Sequence, residues 1–211
     1  MSDELAGIVL AAGLSERMAD AGPKQLLAFG DRTMVGHVVA IIEATTLDPI
    51  VVVTGHAAGA VEKALAPGRA RVVRNSDYRE GNLTSLRTGL AAVGAVGAGA
   101  MLLLGDMPGI AGETIEVVAA AWRGERPFAA VTVYNGAAGH PFVLSAAAID
   151  HVATLDGGNP LWSWLADPTT PDVLRVEVDR PKPGDVNTID DYHRELRALG
   201  LTDPGPGPDN P

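Results

Sequence analysis

The chain has 211 residues, 46% of them hydrophobic, which supplies one α/β core and leaves too little length for two ordinary enzyme domains. Sixteen Lys and Arg face 26 Asp and Glu, and the resulting charge of −10 opposes both a polyphosphate backbone and an anionic bilayer, so neither nucleic acid nor membrane is expected as a partner. There is no cysteine, which excludes disulfide frameworks, Cys-ligated zinc, iron–sulfur clusters and thiol nucleophiles.

The N-terminal MSDELAGIVLAAG carries two acids and no basic segment before its apolar stretch, so it does not read as a signal peptide, and a cytoplasmic protein is expected. The first strand is predicted at 7–10, followed by a helix at 33–46, a strand at 50–54 and a helix at 57–65. Next come a strand at 70–74, a helix at 83–93, a strand at 100–104 and a helix at 112–122. The uncharged run 88–105 has the length of a short membrane span, but five glycines and five alanines divide it into a helix end, a turn and a buried strand. Strands at 128–133 and 140–144, joined by Asn135-Gly136-Ala137-Ala138-Gly139, carry hairpin turn chemistry. Helices at 146–153 and 160–165, a strand at 173–178 and a helix at 189–199 complete the pattern. The alternation predicts an α/β fold, three-layer α/β/α with a mostly parallel mixed sheet, in one domain over 1–201. Residues 202–211, rich in Pro, Gly and Asp, have nothing to bury and are expected to be a disordered tail.

Ligands of such sheets bind beyond the carboxyl ends of the strands. After the first strand, Leu10-Ala11-Ala12-Gly13-Leu14-Ser15-Glu16-Arg17-Met18 combines small residues, which let backbone amides approach phosphate oxygens, with the cations Arg17 and Lys24. That combination suits a triphosphate cradle, although it matches neither a Walker A loop nor a GxGxxG fingerprint, and a plain strand–turn with two exposed cations is the alternative. Asp106 ends the apolar strand MLLLGD, where a carboxylate has little reason to sit unless it binds something. With Asp185 it suits a hard cation such as Mg²⁺, which takes one or two carboxylates and completes its shell with water and phosphate oxygens. The competing readings are a turn or cap residue for Asp106 and a cap of the last helix for Asp185.

These segments together resemble the nucleotidyltransferases with the MobA-like fold, with most matches to the molybdenum cofactor cytidylyltransferases. The resemblance is carried by LAAGLSERM with PKQLL, by Asn82-Leu83-Thr84-Ser85-Leu86-Arg87-Thr88-Gly89-Leu90, and by Leu104-Gly105-Asp106-Met107-Pro108. Gly139-His140-Pro141, Leu155-Asp156-Gly157-Gly158 and Asp185-Val186-Asn187-Thr188 follow in family order. It implies a Rossmann-like, nucleotide-diphospho-sugar transferase-like architecture. It also implies transfer of CMP from CTP to a phosphate-bearing acceptor of molybdopterin type, with release of pyrophosphate and a molybdoenzyme or its chaperone as downstream partner. Ala12 tilts the base choice to CTP over guanylyl transfer, while PKQ leaves a sugar or polyol phosphate acceptor open.

The catalytic set implied is Arg17, Lys24 and Asp106, with Mg²⁺ held by Asp106 and Asp185. The nucleotide is expected against Leu10, Ala11, Ala12, Gly13, Ser15, Thr54, Asn82 and Ser85. Arg87 is read either as a phosphate ligand or as a partner of Asp77 or Glu80, and Trp162 and Trp164 as packing or as a lid. Ala19, Asn187 and Ile189 depart from the family pattern, and Asn187 leaves metal ligation in that segment to Asp185. Two other classes compete: an NAD(P)H-dependent oxidoreductase using the same pocket, and a non-catalytic module delivering a cofactor.

Overall fold

The computed structural model describes residues 4–65, 67–94, 99–155 and 160–202. In chain order these form β1 (Leu5–Ala11), the short hairpin β2 (Ala28–Phe29) and β3 (Arg32–Thr33), α1 (Met34–Glu43), β4 (Ile50–Thr54), α2 (Ala58–Ala64), β5 (Arg71–Arg74) and α3 (Asn82–Val93). They continue with β6 (Gly99–Leu104), α4 (Gly112–Glu125), β7 (Ala129–Tyr134), β8 (Ala137–Ser145), α5 (Ala146–Thr154), α6 (Pro160–Ala166), β9 (Val173–Val178) and α7 (Ile189–Ala198). The main sheet has seven strands in the order β5-β4-β1-β6-β8-β7-β9. All neighbouring pairs are parallel except those that β8 makes with β6 and β7.

Helices cover both faces of this sheet, which is why its central strands are apolar throughout rather than alternating. Leu5, Val9 and Ala11 of β1 pack with Val35, Val38 and Ile42 of α1 and with Ile115 and Val118 of α4. Their neighbours Ala6 and Ile8 face Leu86, Leu90 and Val93 of α3, and farther along the same layer lie Ala148 and Val152 of α5. Close contact between α3 and the sheet depends on Gly89, where a Cβ would stand 2.5 Å from Ile8 Cγ2 and 3.0 Å from Val53 Cγ2. A three-layer α/β/α architecture with one antiparallel strand in a mostly parallel sheet results, as the alternation predicted.

The β7–β8 hairpin turns on Asn135 and Gly136, both with positive φ (49° and 83°), the pairing that a two-residue hairpin turn requires. The run 88–105 divides between the end of α3 and β6, with 95–98 outside the described residues, and no described helix is long and apolar enough to cross a membrane. Two further expectations, the Asp156-Gly157-Gly158 loop and the tail from residue 203, also lie outside the described residues.

A separate small cluster returns the end of the chain to its beginning. Tyr192 and Leu196 of α7 pack with Val186, Met18, Phe29 and Met34, and the Tyr192 hydroxyl donates to the Ala28 carbonyl at 2.6 Å. The two-residue strands β2 and β3, absent from the predicted elements, form the shelf that α7 rests on. This packing carries residues 185–187 across the carboxyl end of the sheet to the loop that follows β1.

Candidate nucleotide site

The loop after β1 is fixed from beneath by its own sequence. Ser15 adopts positive φ (58°), and its hydroxyl accepts from the Lys24 backbone amide at 3.2 Å while donating to Gln25 Oε1 at 3.2 Å. Gln25, only 2% exposed, returns its amide hydrogen to the Gly13 carbonyl at 3.2 Å. On the far side the His56 amide donates to the Ala12 carbonyl at 3.2 Å. The Ala-Ala-Gly turn is therefore held in shape by hydrogen bonds from residues 10–12 positions downstream.

Lys24 joins three segments. Its ammonium donates to Asp106 Oδ2 at 2.5 Å, to the Val186 carbonyl at 2.9 Å and to Asn187 Oδ1 at 3.0 Å. An ammonium has three hydrogens, and here three acceptors take them. The Val186 amide in turn donates to the Asp106 carbonyl at 2.9 Å, so the loop after β6 and the segment before α7 are bound to each other as well as to Lys24.

Asp185 stands beside this junction and is not a cap. Thr188 and Asp191 form the capping box of α7 between themselves. Burial pushes the Asp185 carboxyl above the ordinary range, the neighbouring Asp106 adds to the effect, and Lys182 and Lys24 oppose it. Nor does Asp106 cap a helix, because α4 begins at Gly112 behind Ala111, with no side-chain cap. Among the described residues no group of three or more His, Cys, Asp or Glu gathers. Two carboxylates in mutual repulsion, with the Asn187 amide oxygen beside them, fit a hard divalent ion that draws its remaining ligands from water and phosphate.

A cavity of about 480 Å³ opens over this junction at the carboxyl end of the sheet. Its lining includes Leu10, Ala12 and Gly13 after β1, Asn82 and Ser85 at the start of α3, and Asp106, Asp185 and Asn187. His140, Phe142, Trp162 and Lys182 line the same cavity. The His140 and Trp162 rings stack with centroids 5.4 Å apart and planes 7° from parallel, and His140 lies 4.7 Å from the Phe142 ring. Burial, helped by the Lys182 charge, pushes the His140 imidazole down to about 4, so it is neutral at physiological pH. Lys182 holds its ammonium 5.9 Å from the Trp162 ring and donates to the Ala138 carbonyl at 2.8 Å.

Of the residues expected to meet the nucleotide, Leu10, Ala12, Gly13, Asn82 and Ser85 line the cavity, as do the expected metal ligands Asp106 and Asp185. Lys24 lies behind Asp106, and Ser15 serves the loop. Ala11 faces the core under α1, and Thr54 is fully buried, donating to the Val73 carbonyl at 3.3 Å; neither lines the cavity. Arg17 is exposed outside the lining. Arg87 takes neither expected role: its guanidinium donates to the carbonyls of Ala153 and Leu155 at the end of α5. Trp164 packs edge-on against Phe128, whereas Trp162 faces the cavity. Tyr78, Lys182 and the buried Asn75 were not among the candidates: Asn75 and Tyr78 follow β5 at a strand end where ligands are expected, and Lys182 precedes Asp185, but none of the three matches a motif.

The MobA-like NTP transferase domain matches residues 7–173. The chain belongs to this family. The chain is similar to the bifunctional protein GlmU of Streptomyces griseus subsp. griseus, 41% identical over 118 residues, covering 54% of this chain and 24% of that protein. The chain thus spans about a quarter of the length of the GlmU relatives it matches. Solved structures match over nearly the whole chain. Rv0371c from Mycobacterium tuberculosis H37Rv superposes with a TM-score of 0.81 at 33% identity, covering 92% of this chain and 98% of that one. The same protein in complex with manganese gives 0.77 at 32% identity, covering 92% and 99%. A nucleotidyl transferase from Methanothermobacter thermautotroptrophicus, Mth528, gives 0.76 at 28% identity, covering 94% and 98%.

Proposed function

We propose that this chain is a nucleotidyltransferase that moves CMP from CTP to a phosphate-bearing acceptor of molybdopterin type, releasing pyrophosphate. The observation that carries the reading is the Lys24 junction, which ties the β1 loop to both carboxylate-bearing segments under one cavity. The choice of CTP and of the acceptor rests on Ala12 and on the SLR, GDMP and DVNT segments.

An acceptor that is already a phosphate monoester needs no general base, so the demand on the protein is alignment and neutralisation of charge. One acceptor oxygen forms the new bond to the α-phosphorus while the bond from that phosphorus to the β-bridging oxygen breaks, and pyrophosphate leaves with the electron pair. The amides of residues 13–15 and Arg17 hold the departing phosphates. Lys24 neutralises the α-phosphate, and since its hydrogens are all engaged it does so by exchanging Val186 or Asn187 for a phosphate oxygen. Asp106 and Asp185 are the residues that would hold Mg²⁺, which when bound supplies further neutralisation at the reacting phosphates. The stacked His140 and Trp162 suit a flat ring on the acceptor, with Lys182 toward its anionic end. A molybdoenzyme or its chaperone is the partner such a product implies.

The test is pyrophosphate release from CTP with a molybdopterin acceptor and Mg²⁺. Asp106→Asn and Lys24→Ala are each expected to lower turnover more than tenfold, about 1.4 kcal/mol of barrier. Turnover within tenfold of the unaltered protein for either variant contradicts the assignment.

A further inference from the structure

Asn75 is the first residue beyond β5, 4% exposed, with its backbone amide donating to the Thr54 carbonyl at 2.8 Å. Which way its carboxamide points follows from one neighbour. The Asp77 backbone amide donates to Asn75 Oδ1 at 2.9 Å, and an N–H requires the oxygen there, so the amide nitrogen faces the other way. From that position it donates to Thr84 Oγ1 at 2.9 Å and to Ser85 Oγ at 3.0 Å, and both of its hydrogens are spent.

The two hydroxyls then differ. Thr84 returns its hydrogen to backbone, with the Gly81 carbonyl at 2.8 Å and the Asp77 carbonyl at 3.0 Å as acceptors. Ser85 accepts from Asn75 at the cavity wall, and among the described residues no acceptor takes its own hydrogen. An amide donor behind a serine turns one lone pair away from the cavity and leaves the proton to be aimed into it.

We infer that Asn75 is a positioning residue that sets the polarity of Ser85, making it a hydrogen-bond donor to a lone-pair atom, a carbonyl oxygen or unprotonated ring nitrogen, of the bound nucleotide's base. This rests on the nucleotidyl reading of the cavity and adds to it which kind of base edge α3 selects. Asn75 touches no ligand itself; its effect passes through Ser85.

Asn75→Asp separates this role from simple scaffolding, because it keeps the shape and replaces the donor with a carboxylate that takes the Ser85 hydrogen for itself. Calorimetric binding of CTP with Mg²⁺ is compared across the unaltered protein, Asn75→Asp, Ser85→Ala and the double variant, with inorganic pyrophosphate as a probe that lacks a base. Each single variant is expected to weaken CTP about five- to tenfold, the double variant no more than either, and pyrophosphate affinity to stay unchanged. Multiplying effects in the double variant, equal losses for pyrophosphate, or unchanged CTP affinity in Asn75→Asp overturn the inference. Should Asn75→Asp not fold, Ser85→Ala against Thr84→Val decides: the first weakens CTP and the second does not, and equal effects overturn it. If the unaltered protein binds none of the four nucleoside triphosphates, the nucleotidyl reading fails and this inference with it.

Discussion

Lys24 Nζ lies 2.5 Å from Asp106 Oδ2, linking residues 82 positions apart with side chains 9% and 22% exposed. Because the pair is largely withdrawn from water, removing one partner leaves the other charge poorly compensated. Lys24→Met is expected to destabilise the fold by about 1–3 kcal/mol, since it strands Asp106 together with the acceptors of Val186 and Asn187. Adding Asp106→Asn to Lys24→Met should recover part of that loss by removing the unpaired carboxylate. Urea denaturation of the two single variants and the double variant measures this coupling; strictly additive losses contradict it.

His140 makes stability depend on pH in a stated direction. Its folded value of about 4 lies below the ordinary 6.5, so between those values the unfolded chain binds a proton that the folded one does not. Its contribution is full above pH 6.5 and is lost as pH falls toward 4, with a slope of up to about 1.4 kcal/mol per pH unit. Denaturation midpoints of the unaltered protein and of His140→Phe, measured from pH 7 to pH 4.5, isolate the effect by difference. Parallel curves would show that the imidazole titrates as it does in water.

Two helical glycines should respond oppositely to alanine. At Gly89 a Cβ would press on Ile8 and Val53 in the core, and Gly89→Ala is expected to cost about 1–3 kcal/mol by overpacking. At Gly124 in α4 nothing lies within 4 Å, and Gly124→Ala should gain up to about 1 kcal/mol from helix propensity. Thermal unfolding of both variants gives the comparison.

Much of the fold was legible because short apolar, β-branched runs alternate along the chain with longer helical stretches. The strands 50–54 and 173–178 coincide with β4 and β9, and the other predicted strands and helices fall within a few residues of those observed. The hairpin β2–β3 left no trace, since two-residue strands carry no alternation to detect. In the site, residues next to strand ends were visible by composition, as with Gly13 and Asp106. Asn75 also follows a strand, yet neither it nor Lys182 was visible, because what gives them a role is tertiary: a carboxamide beneath α3 for the first, the stack of Trp162 on His140 for the second. Arg87 shows the converse error, a cation at a helix start whose side chain reaches across to the end of α5.

On the proposed reading the cavity over Asp106 and Asp185 receives a nucleoside triphosphate together with a divalent ion. The most direct measurement is the thermal midpoint of the full chain with each of the four nucleoside triphosphates and with NAD(P)H, with and without Mg²⁺, since a ligand that binds only the folded state raises it. A rise with CTP that requires Mg²⁺ and is lost in Asp106→Asn is the expected result. A rise with NAD(P)H alone, or a CTP effect indifferent to Mg²⁺, would contradict it.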